Sequence, residues 1–360
     1  MEELDAIVAQ AEKNAYEGNG ELTKEQLYKF HACEVFMDAE YPENKFLFSV
    51  DDVPVITAGD IHTIGAKQKG GKTSLVTILI AAILGGQWNR VKCLVQDMSV
   101  LYIDTEMKKV DTQHLGAKAA AMAGVEVSAL NDRIHLVNFR PLTPAEMELG
   151  ILYFIKKYRP QLVIIDGIVD LCANFNDVEA SQELVLNYLM KTAEEYGCAF
   201  INILHTNKTD GYTELRGHLG AFFEQKGVTV IKCEKDDGSN IVTVKFPTHR
   251  YAPVPEFHFS YDENGVPVNA DRQFGELEAK KQQDKESQKA AEQEAVYQKR
   301  SQIVVGILKA HGGSMKRKAL VDEAMTSIEK GETTVKKLVK KMLEVENPAI
   351  SETDGIIKLI

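Results

Sequence analysis

Apolar and polar positions along the chain fall into three regimes. Between about residues 46 and 267, short apolar runs alternate with longer amphipathic stretches; from 275 to 300 large apolar residues nearly vanish; after 301 they return at helical spacing. In the first regime the runs at 60–64, 100–104, 134–139, 161–166, 198–205, 228–233, 241–246 and 257–261 predict strands. Leu162-Val163-Ile164-Ile165 is continuously apolar, the pattern of a strand buried on both faces. A mainly parallel sheet with helices on both sides is therefore expected, an α/β fold. The intervening helices carry start signals: Thr143-Pro144-Ala145-Glu146 joins an N-cap, a first-turn proline and a capping-box glutamate.

The flanks read differently. Residues 1–44 hold two helical stretches, 4–15 and 23–39, around a Gly/Asn turn at 18–20, and predict an N-terminal helical extension. Residues 271–300, dominated by Glu, Lys, Gln and Ala, predict a charged linker, helical or disordered. In 301–360, helical patterns at 302–310, 316–325 and 332–343 precede a break at Pro348 and a β-like end, 354–360. Three helices followed by a hairpin is a winged-helix-like pattern. The expected division is thus 1–44, 45–270, 271–300 and 301–360.

Composition narrows the function classes. The chain has 360 residues, 44% of them apolar, enough for one large core and a smaller one. Its first residues are acidic and carry no apolar leader, and its longest apolar run is the stretch 74–84, so no membrane span and a cytoplasmic location are expected. Cys33, Cys93, Cys172, Cys198 and Cys233 are odd in number, far apart and never in a CxxC pair, which argues against disulfides and zinc. The net charge of −11 excludes a uniformly basic nucleic-acid surface. Residues 301–360, however, carry ten Lys/Arg against eight Asp/Glu, so contact with DNA would have to be local.

The strongest chemical signal is Gly65-Ala66-Lys67-Gln68-Lys69-Gly70-Gly71-Lys72-Thr73-Ser74, between the strand pattern 60–64 and an apolar run. It reads as a phosphate-binding loop. Small residues let backbone N–H groups turn toward phosphate oxygens, Lys72 reaches the β and γ phosphates, and Thr73 offers a hydroxyl to Mg²⁺. Ala66 stands where the strict pattern has its first glycine, with Gly65 adjacent. ATP and Mg²⁺ are the expected ligands. Asp166, ending the strand 161–166, is the expected second metal residue.

Val100-Leu101-Tyr102-Ile103-Asp104-Thr105-Glu106 ends another strand in carboxylates, one of which could polarise an attacking water. Glu106 could instead cap a helix starting near Met107. Here the chain resembles the RecA-like P-loop ATPases, and by that resemblance Glu106 is the general base. The resemblance also implies a γ-phosphate sensor at His205 in Leu204-His205-Thr206-Asn207-Lys208, where a structural histidine is the alternative. It implies a DNA-contacting or coupling loop at Leu215-Arg216-Gly217-His218, with Arg216 and His218 as candidates. It implies an arginine finger at Arg250, acting on a neighbouring subunit, although Thr248 occupies the place of that element's lysine. Taken in order, the motifs of residues 45–265 resemble RepA-type hexameric helicases of plasmids and bacterial mobile elements. That implies a RecA-like core, a homo-oligomeric ring, single-stranded DNA as partner, and ATP hydrolysis in replication or mobilisation. Ala66 and Gly167 depart from the family pattern.

In the tail, Val335, Leu338, Val339, Met342 and Leu343 share one helical face, while Lys336, Lys337, Lys340 and Lys341 lie opposite as two i,i+4 pairs. Such a helix could bind duplex DNA through its phosphates; the alternative is a solvated face on a protein-interaction unit. The competing function of another class is an ATP-switched, partition-type DNA-binding protein that unwinds nothing.

Overall fold

Thr23 accepts a hydrogen bond from the Gln26 N–H and opens α1 (Lys24–His31) with a capping box. The computed structural model describes residues 23–206, 214–236 and 238–360; the expected helix at 4–15, the turn at 18–20, and Asn207 and Lys208 lie outside them. The expected helix 23–39 stops at His31. Beyond it Val35, Phe36 and Met37 are exposed, so no buried face sustains further turns.

The described residues form two compact units. Residues up to Gln68, with Leu75–Ile231 and Phe246–Pro255, make the first; Lys69–Ser74, Lys232–Lys245 and Glu256–Ile360 make the second. The first contains a small antiparallel sheet that the apolar pattern did not separate, in the order β2-β1-β5-β4. Its strands are β1 (Phe46–Val50), β2 (Val53–Thr57), β4 (Gln87–Trp88) and β5 (Val91–Cys93). Asp51 and Asp52 join β1 to β2 with φ of 47° and 64°, the left-handed pair that suits a tight hairpin.

The large sheet has nine strands in the order β13-β12-β11-β10-β3-β9-β8-β6-β7. Within the first unit, β3 (Ile61–Ala66), β9 (Ala199–His205), β8 (Leu162–Asp166), β6 (Val100–Asp104) and β7 (Ile134–Asn138) pair in parallel. β8 is buried throughout, as its apolar run predicts. One face of these strands (Leu101, Ile103, Val163, Ile165, Phe200, Leu204) shares a core with helical residues Ile151, Ile155, Leu189, Leu219 and Phe223. Alternation sends Tyr102, Ile164 and Ile203 to the other face.

Helix α2 (Lys72–Gly85) is apolar nearly all round; α3 (Lys109–Ala123) ends at Gly124 in the left-handed conformation; α4 (Pro144–Tyr158) has the predicted capping box at Thr143 and Glu146. After β8 come α5 (Val178–Gln182), a π-helical stretch Glu183–Met190 and α6 (Lys191–Tyr196), and after β9 comes α7 (Gly217–Lys226). β10 (Thr229–Lys235) and β11 (Val242–His249) follow.

In the second unit β11, β12 (Phe257–Tyr261) and β13 (Pro267–Asn269) pair antiparallel. The chain then enters α8 (Asp271–Ala310), a single 40-residue helix with no break at residue 300. The stretch expected as a linker is therefore helical and continuous with the first helix of the tail. Its polar part and its apolar stripe (Val304, Ile307, Leu308) differ in burial but not in backbone state. Next come β14 (Ser314–Lys316), α9 (Arg317–Ile328), α10 (Glu332–Glu344), β15 (Ile350–Thr353) and β16 (Ile356–Leu359). The three strands pair as β14-β16-β15 over a core of Val304, Leu308, Leu320, Val335, Val339 and Ile357.

Candidate active site

Parallel register brings the polar strand ends to one edge. Ala66 pairs with His205, Asp166 with Ile203, Asp104 with Asp166, and Asn138 with Asp104. The loop after β3 leaves the sheet at this edge. Gly65 and Ala66 are buried residues of β3 rather than part of the loop. A Cβ on Gly65 would come within 2.4 Å of Leu215 Cδ2, so packing against Leu215 favours glycine there.

Asp104 organises the turn after β6. Its Oδ1 accepts the N–H groups of Glu106 (3.0 Å) and Met107 (2.8 Å), its Oδ2 accepts the Thr112 hydroxyl, and Asn138 donates to the Met107 carbonyl (2.9 Å). Asp104 thus does the capping considered for Glu106, while α3 starts at Lys109 without a side-chain cap. The Glu106 side chain is half-exposed, with Oε1 3.8 Å from His205 Nε2.

Asp166 is buried, and the phenol of fully buried Tyr102 donates to its Oδ2 at 3.0 Å. Burial, reinforced by the Asp166 and Asp104 carboxylates, holds the Tyr102 phenol well above its usual pKa and so in the donating form. Gly167 follows with φ 92°; a Cβ there would meet Thr105 Oγ1 at 2.0 Å and Glu106 Cγ at 3.0 Å. This departure from the family pattern has a local cause: the turns after β6 and β8 touch at Gly167. Thr105 Oγ1 lies 2.7 Å from Asp170 Oδ2 across the same contact.

The glycine loop Lys69–Ser74 belongs to the second unit. Gly71 has φ 98° and a Cβ there would lie 3.0 Å from Val242 Cγ1 and 3.2 Å from Phe259 Cζ, so only glycine fits. Lys72 is buried, and Ser74 Oγ donates to Tyr261 Oη at 3.1 Å. Burial pushes the neighbouring Cys233 thiol up to about 12, leaving a neutral residue beside the Lys72 ammonium. Among the described residues no group of three His, Cys, Asp or Glu could hold a metal by itself. A buried strand-end carboxylate such as Asp166 is the kind of oxygen ligand that suits Mg²⁺ shared with nucleotide phosphates, which needs one or two protein oxygens.

The remaining predicted residues are placed as follows. Arg216 is exposed, its guanidinium 4.6 Å from the Phe175 ring centroid, and its N–H donates to the His205 carbonyl (3.1 Å). His218, in the first turn of α7, is exposed. Arg250 is exposed just past β11, and among the described residues no acidic group pairs with it. Its segment is fixed by Tyr251, which packs edge-on to Phe46 and accepts a hydrogen bond from Asn44. On α10 the lysine face is largely engaged. Lys336 pairs with Glu332 (2.6 Å), Lys340 with Glu344 (3.6 Å), and Lys341 with Glu294 (3.7 Å) while lying 3.9 Å from the Tyr297 ring centroid. Lys337 lines a groove with Arg300 between α8 and α10.

Residues 49–211 match the family described as AAA domain. The matched stretch contains the phosphate loop, Glu106, Asp166 and His205, and its mainly parallel sheet has the architecture expected from the sequence. The solved structures similar to the chain include one described as an ATPase domain, with 17% identity over 58% of this chain and 84% of that one and a TM-score of 0.45. No curated protein matches the chain significantly. No helix among the described residues is long and apolar enough to cross a membrane.

Sequence reasoning missed Tyr102, Asp104 as a cap, Thr112, Asn138 and the contact at Gly167. Tyr102 carried a usable signal: a tyrosine inside a buried strand needs a partner for its hydroxyl.

Proposed function

We propose that the chain is an ATP-hydrolysing, ring-forming motor acting on DNA, in the replication or mobilisation of a plasmid or mobile element. The observation that carries this reading is the common edge of the ATPase domain's sheet, where the phosphate loop leaves β3 beside the ends bearing His205, Asp166 and the Glu106 turn.

In this reading the loop amides of residues 67–71 and Lys72 bind the phosphates, and the Thr73 hydroxyl and Asp166 hold Mg²⁺. When bound, the metal would offset phosphate charge. Glu106 takes the proton of the attacking water, and His205, 3.8 Å away, senses the γ-phosphate. Arg250, held out on an anchored segment, completes the site of a neighbouring copy, with a hexamer as the assembly. Arg216 and His218 contact single-stranded DNA or couple it to His205, whose carbonyl accepts the Arg216 N–H. The tail, with its helix–strand–helix–helix–hairpin order, serves as a winged-helix-like domain. Because Lys336, Lys340 and Lys341 already have acidic partners, its duplex contact rests chiefly on Lys337.

The test is ATP hydrolysis with and without single-stranded DNA, with Lys72→Ala as the blank. Stimulation by single strands supports the motor. Turnover indifferent to single strands, or responsive only to duplex, replaces it with the ATP-switched DNA-binding protein.

A further inference from the structure

Tyr102 is the one large polar side chain wholly enclosed in the described sheet core whose polar atom reaches a proposed metal residue. Its place follows from register. Tyr102 pairs with Ile164 on β8, so Asp166, two residues further on the same face, is its diagonal neighbour and within reach of a long side chain. The phenol donates to Asp166 Oδ2 at 3.0 Å. A buried carboxylate with one oxygen fixed by a neutral donor has a set rotamer and one oxygen directed by it. Neutral donors behind a metal residue orient it without competing for the metal, and their loss costs about 10- to 100-fold in metal affinity or activity. A phenol suits this role because it is a hydrogen-bond donor that carries no charge of its own.

We propose that Tyr102 is a positioning residue that sets Asp166 for Mg²⁺. The proposal rests on the ATPase reading, in which Asp166 serves the metal. Tyr102 touches neither nucleotide nor water in this role; it acts through Asp166 alone.

The test uses the full chain and a fluorescent ATP analogue, titrated with Mg²⁺ and, separately, in EDTA. Tyr102→Phe keeps the ring and removes the donor. The expected result is unchanged binding in EDTA, about a tenfold rise in the Mg²⁺ concentration for half-maximal response, and turnover restored toward the parent value at saturating Mg²⁺. On an Asp166→Asn background the same change should add nothing. A Mg²⁺ dependence equal to the parent's, or equal losses in EDTA and in Mg²⁺, would overturn the proposal. Failure of the parent chain to bind the analogue at all would instead sink the ATPase reading. If Tyr102→Phe does not fold, 3-fluorotyrosine at position 102 preserves shape while altering donor strength; a shifted Mg²⁺ midpoint supports the proposal and an unshifted one overturns it.

Discussion

Glu106 Oε1 and His205 Nε2 stand 3.8 Å apart, Glu106 on the turn after β6 and His205 at the end of β9, with β8 between the two strands. The Glu106 N–H donates to the Asp104 carboxylate, which fixes the backbone, while the Glu106 carboxylate is half-exposed and faces His205. Glu106→Gln keeps the shape and removes the base. It is expected to bind ATP normally and lose about 10² to 10⁴ in turnover. Single-turnover hydrolysis checks this, and retained turnover removes Glu106 from the base role.

Gly167→Ala should act on the same carboxylate from behind. A side chain at φ 92° costs about 1–2 kcal/mol in backbone strain, and the new Cβ must displace Thr105 and Glu106. A displaced catalytic group costs about 10²-fold in rate, with nucleotide affinity spared. Thermal melting and kcat measured on one preparation separate the strain from the misplacement.

Arg250→Ala should leave nucleotide binding intact and lower hydrolysis by about 10³- to 10⁵-fold, the range for a finger supplied by a neighbour. Mixing it with Glu106→Gln should restore some turnover, because a mixed interface can join an intact Arg250 to an intact Glu106. Absence of any recovery on mixing argues that Arg250 does not act across subunits.

Stability should fall as the medium is acidified, through His62. It is fully buried, and burial lowers its pKa from 6.5 to about 4, against smaller upward pulls from its Thr57 backbone bond and Asp60. The unfolded chain therefore binds the extra proton first. His62's contribution is whole above pH 6.5 and is lost as pH drops toward 4, about 3 kcal/mol in all. Urea midpoints across that window should fall less steeply for His62→Gln than for the parent.

Strands such as β8 were legible because a buried parallel strand leaves a continuous apolar run. The sheet of β1, β2, β4 and β5 was less so: short strands leave little pattern, though Asp51-Asp52 was a readable hairpin turn, and Trp88 finds its place there by pairing with Val91. At the site, residue types were readable but their partners were not. Glu332–Lys336 could be read from i,i+4 spacing, whereas Lys341–Glu294 joins helices 47 positions apart in sequence. Gly65 and Gly167 show the same limit, since what forbids a side chain at each is a neighbour brought by tertiary folding.

Residues 278–296 of α8 are all exposed, nineteen positions with no packed face. Such a segment is held by local pairs such as Lys281–Glu278 and Gln298–Glu294 and by two surface ion pairs to other elements, Lys281–Asp236 and Lys341–Glu294, and such pairs weaken with salt. As helix it spans about 28 Å; drawn out, the same residues reach about 60 Å. Unwinding this stretch would about double its reach at the expense of surface pairs, with every buried residue of the core left in place.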